Sequence, residues 1–90
     1  MAENEERDHA SDYRLCTQRF IALANTMKDE GLELGLVSQA LMSASGVYAT
    51  YAIAGNEGGL NQSGVDKLVE LYKASLEEVQ LTKKQKLSEG

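Results

Sequence analysis

Apolar residues return every three or four positions in two stretches of this chain, and at nearly every angle in a third. In the first stretch Tyr13, Cys16, Phe20, Ala24 and Met27 follow one another at such steps, with Ile21 and Leu23 widening the stripe. Arg14, Thr17, Gln18, Asn25 and Lys28 take the other side. A stripe of this period is the mark of an amphipathic helix. Ser11 offers a hydroxyl to cap its orphan amides, and Gly31 offers the left-handed conformation that ends it. The pattern predicts a helix over residues 12–30.

Residues 31–37 (GLELGLV) hold two glycines between apolar side chains. Their alternation would suit a short strand, but no partner strand is evident, and an isolated strand is not stable. A glycine-hinged connector between helices is expected instead. Ser38 then reads as a cap, with Val37 and Met42 at the two positions of a hydrophobic staple. The predicted second helix runs over residues 38–54 and stops at Gly55. Ala40, Ser43, Ala44, Ser45, Gly46, Ala49, Ala52 and Ala54 make it rich in small residues, while Leu41, Met42, Val47, Tyr48, Tyr51 and Ile53 are spread around it.

The last stretch opens with Ser63 and, three residues later, Asp66, an approximate capping box. Val65, Leu68, Tyr72, Leu76 and Val79 follow at helical spacing, joined by Val69 and Leu71. A third helix is predicted over residues 64–82, fading by Lys86. Residues 1–10 (MAENEERDHA) read as a flexible acidic tail and residues 87–90 as a loose C-terminus. The expected architecture over residues 11–86 is all-α: a three-helix antiparallel bundle whose central helix is rich in small residues.

No charged residue occurs from Leu34 through Asn56. The run is about long enough to cross a bilayer. Gln39, Ser43, Ser45 and Thr50 interrupt it, however, and its flanks are Glu33 and Glu57 rather than basic residues, so no membrane association is expected. Two readings remain open. The helix is buried on most sides by its own chain, or it is covered on one side by its own chain and on another by a second subunit. Alanine, serine and glycine bury little area, so the single-chain core is small, and self-association would add stability by mass action. A symmetric homodimer is the favoured arrangement.

Charge and rare residues narrow the function. Fourteen acids against nine bases give a net charge of −5, which argues against nucleic-acid binding. The only basic cluster, Lys83, Lys84 and Lys86, suits a helix C-terminus, where carbonyls point outward. Cys16 is the one cysteine and His9 the one histidine. A lone cysteine on an apolar face reads as a small core residue, in keeping with a reducing cytoplasm. His9 has no second histidine or cysteine to complete a metal site. Residues 55–64 (GNEGGLNQSG) lack the Gly-Lys-Ser/Thr of a phosphate-binding loop. Residues 1–11 lack the basic and apolar regions of a secretory signal.

No histidine or lysine lies near the hydroxyls of the central helix to activate a nucleophile, so no enzymatic activity and no cofactor is expected. The candidate binding surface is Met42, Gly46, Tyr48, Ala49, Tyr51 and Ile53, and its expected occupant is a protein partner. An alternative is a groove for a small molecule or peptide lined by Tyr48 and Tyr51, with Tyr13 and Tyr72 at core-facing positions of the outer helices.

Three stretches carry a resemblance: RFIALAN (Arg19–Asn25), VSQALMSASGVYATYAIA (Val37–Ala54) and LVELYKASLEEVQ (Leu68–Gln80). Together they resemble a small bacterial family of all-helical proteins of about this length, 90 residues, with no assigned function. The resemblance covers most of residues 12–82 and rests on the whole pattern, particularly the small-residue helix opened by Val37-Ser38. It implies a cytosolic helical protein and carries no residue roles.

Overall fold

The computed structural model describes residues 8–56 and 58–89. The chain is all-α. Its elements are α1 (His9–Asp29), α2 (Leu34–Ala54) and α3 (Gln62–Glu89), with no strand among the described residues. Residues 1–7 of the expected acidic tail lie outside the described residues, as do Glu57 and Gly90.

Each helix begins earlier than the sequence pattern places it. Asp8 caps α1 from extended backbone (φ −92°, ψ 121°), and its carboxylate accepts hydrogen bonds from the Ala10 amide and the Ser11 hydroxyl, both at 3.2 Å. Ser11, the expected cap, therefore sits in the first turn and donates to the cap itself. A carboxylate is a good cap here because it also faces the positive end of the helix dipole. Residues 8–10, expected within the flexible tail, are the cap and the first helical residues.

At the other end of α1 the chain closes a Schellman motif. The Gly31 amide donates to the Lys28 carbonyl at 3.0 Å and the Leu32 amide to the Met27 carbonyl at 3.3 Å. Gly31 makes this possible by taking φ 103°, a conformation that an L side chain resists. Gly55 plays the same part after α2 with φ 79°, its amide reaching the Tyr51 carbonyl at 2.9 Å. Both glycine stops agree with the sequence reading.

α2 starts at Leu34 rather than Ser38, with the Val37 amide already bonded to the Glu33 carbonyl at 3.0 Å. The expected connector of residues 31–37 thus contributes its second half to the helix. Leu34, Leu36 and Val37 gain helical hydrogen bonds there, and Gly35 costs only its propensity.

α3 is capped by Asn61, whose Oδ1 accepts from the Gly64 amide and the Ser63 hydroxyl, both at 2.9 Å. Ser63 again serves the cap instead of being it. Asp66, the other half of the expected capping box, accepts at Oδ1 from Gln62 Nε2 at 2.9 Å. α3 continues to Glu89, so residues 87–89 are helical and not loose. Lysine, glutamine and leucine propagate a helix by propensity where no apolar stripe remains to mark it, and Lys86 in the last turn faces the negative end of the dipole.

The chain divides into two units, residues 1–47 and 48–90, with the division inside α2. In the first unit, the covered apolar side chains flank the α1–α2 connector. Val37 is buried at 5% exposure, and Ala24 and Met27 are half-buried. Farther from the connector Tyr13, Cys16, Phe20, Ile21 and Leu23 are exposed on α1, as are Leu41 and Met42 on α2. In the second unit Ala49, Thr50, Ala54, Leu60, Gly64 and Leu68 are half-buried around the α2–α3 connector. Tyr72, Leu76 and Val79, farther along α3, are exposed.

The expected core is corrected accordingly. The stripes of the outer helices, Cys16 among them, and most of the apolar side chains of α2 meet solvent. Within each unit the covered apolar side chains lie within about two turns of its connector.

Replacing Asn61 by alanine removes the acceptor for the Gly64 amide. We expect Asn61→Ala to destabilise α3 by about 1 kcal/mol, with Asn61→Asp close to the parent, since aspartate caps equally well. Denaturant titration followed by far-ultraviolet circular dichroism tests both; equal stability of all three chains would refute the capping role.

Candidate interaction surface

A residue on an α-helix advances about 100° around the axis, so positions three and four apart share a face. By this rule α2 carries two apolar seams. Leu34, Val37, Leu41, Ala44, Tyr48 and Tyr51 alternate at steps of three and four along one side. Gly35, Gln39, Met42, Gly46, Ala49 and Ile53 alternate at steps of four and three along another, roughly 150° away around the helix. Both have the spacing with which one helix packs into the grooves of a second.

The sequence-predicted binding residues divide between these seams. Met42, Gly46, Ala49 and Ile53 fall on the second, and Tyr48 and Tyr51 on the first. They are therefore not one patch. Met42 is 54% exposed and Ile53 62%, Gly46 is exposed, and Ala49 is half-buried. The tyrosine rings lie 5.9 Å apart between centroids and are tilted by 55°, a neighbouring-turn contact on one helix. Sequence reasoning missed Gly35 and Gln39 as members of the second seam, because Gly35 had been placed in a connector. The signal was the seven-residue return Gly35, Met42, Ala49 alongside Gln39, Gly46, Ile53.

The two seams differ in how their own chain treats them. The bulky seam contains Val37, the buried residue of α2. The second seam contains no buried residue. A Cβ built on Gly35 or on Gly46 would meet nothing within 4 Å. A glycine in a helix interior costs about 1 kcal/mol relative to alanine. Gly46 adopts no positive φ, so neither backbone conformation nor crowding within the chain calls for glycine there.

Two shallow hollows lie elsewhere on the described residues. One hollow is lined by Leu81, Lys84, Gln85 and Ser88 of α3, and another by His9, Ala10, Tyr13, Arg14 and Thr17 of α1. Each is a depression along a single helix, and neither includes Tyr48 or Tyr51. The Thr17 and Thr26 hydroxyls return to their own helix, donating to the Tyr13 and Ala22 carbonyls at 2.9 and 3.1 Å. Among the described residues no three His, Cys, Asp or Glu side chains gather as a metal site. No described helix is long and apolar enough to cross a membrane.

Comparison with protein-family models, with curated proteins and with solved structures finds no match to this chain.

The Tyr48–Tyr51 contact joins two exposed rings on adjacent turns, which limits its worth. A double-mutant cycle of Tyr48→Ala and Tyr51→Ala should give a coupling of about 0.5 kcal/mol in unfolding free energy. A coupling above about 1.5 kcal/mol would exceed what such a ring pair supplies and would show a third group holding both tyrosines.

Proposed function

We propose that this chain is a small helical interaction or structural module that acts by binding another protein surface through α2. The observation that supports it is the state of that helix. Leu34, Leu36, Leu41, Met42, Val47, Tyr48, Tyr51 and Ile53 are all at least 43% exposed, on a helix that carries no charge over its whole length. Burying a side chain of this size is worth about 1.5–3 kcal/mol. Eight such side chains left in water are a large unused driving force. Exposed apolar patches of this kind mark interaction sites.

Binding is also the reading that the chemistry favours. The surface carries apolar side chains, glycines and small hydroxyl residues, with no charged group to act as acid, base or ion-pair partner. The partner surface it suits is equally uncharged and apolar. All the charged residues lie outside α2, and the net charge of −5 comes from residues 1–8 and from Glu30, Glu33 and Glu57 between the helices, since acids and bases nearly balance within α1 and within α3.

A photoreactive amino acid at position 53 of the full chain, irradiated in the cell, tests this reading. We expect one or a few discrete covalent protein adducts at position 53 and none at position 67, on the charged side of α3. Absence of any discrete adduct at 53 would defeat the reading.

A further inference from the structure

We draw no further inference here: the strongest candidate, the exposed apolar stripe of α1 formed by Tyr13, Cys16, Phe20 and Leu23, is an unpartnered helix face, and nothing in the structure shows what covers it.

Discussion

A helix whose apolar side chains point in nearly every direction has no side suited to water, and this constraint governs the whole chain. Amphipathic helices settle the matter by turning one face inward. α2 has no polar face to turn outward. Its seams lie on well-separated sides of one cylinder, and a single neighbouring helix covers only one of them. Coverage in the structure reaches Val37 and the half-buried Ala49, Thr50 and Ala54, all within a few turns of a connector. The surface beyond those turns requires a second source of cover. The proposed function is an answer to that requirement.

Much of the architecture was legible in the sequence because its signals are local. Three helices follow from periodicity, and the ends of α1 and α2 follow from Gly31 and Gly55, which take positive φ. The starts were not legible. Ser11, Ser38 and Ser63 are each credible caps, and a cap depends on which of several nearby oxygens wins the orphan amides. Asp8 and Asn61 win because their side chains accept from two donors at once, and in both cases one of those donors is the serine that competed for the role. The end of α3 was misplaced for a different reason. Periodicity reports the side chains a helix buries, whereas residues 82–89 are held by propensity and charge placement alone.

The candidate surface was legible in part. The absence of charge across α2 and its wealth of small residues single it out without any structure. The grouping of its residues did not follow, because Met42, Tyr48 and Ile53 were gathered by proximity in sequence and not by angle. Extending the helix back to Leu34 is what brings Gly35 and Gln39 into register with Met42 and Gly46. The two seams then separate, and the tyrosines part from the small-residue surface.

Small residues on α2 cost the single chain twice. Glycine lowers helix propensity, and alanine and serine contribute little burial. A Cβ on Gly46 would meet nothing within 4 Å, and of its seam Ala49 alone is half-buried. Both costs are recovered when another helix approaches closely, because a small residue is then the partner that a large one needs.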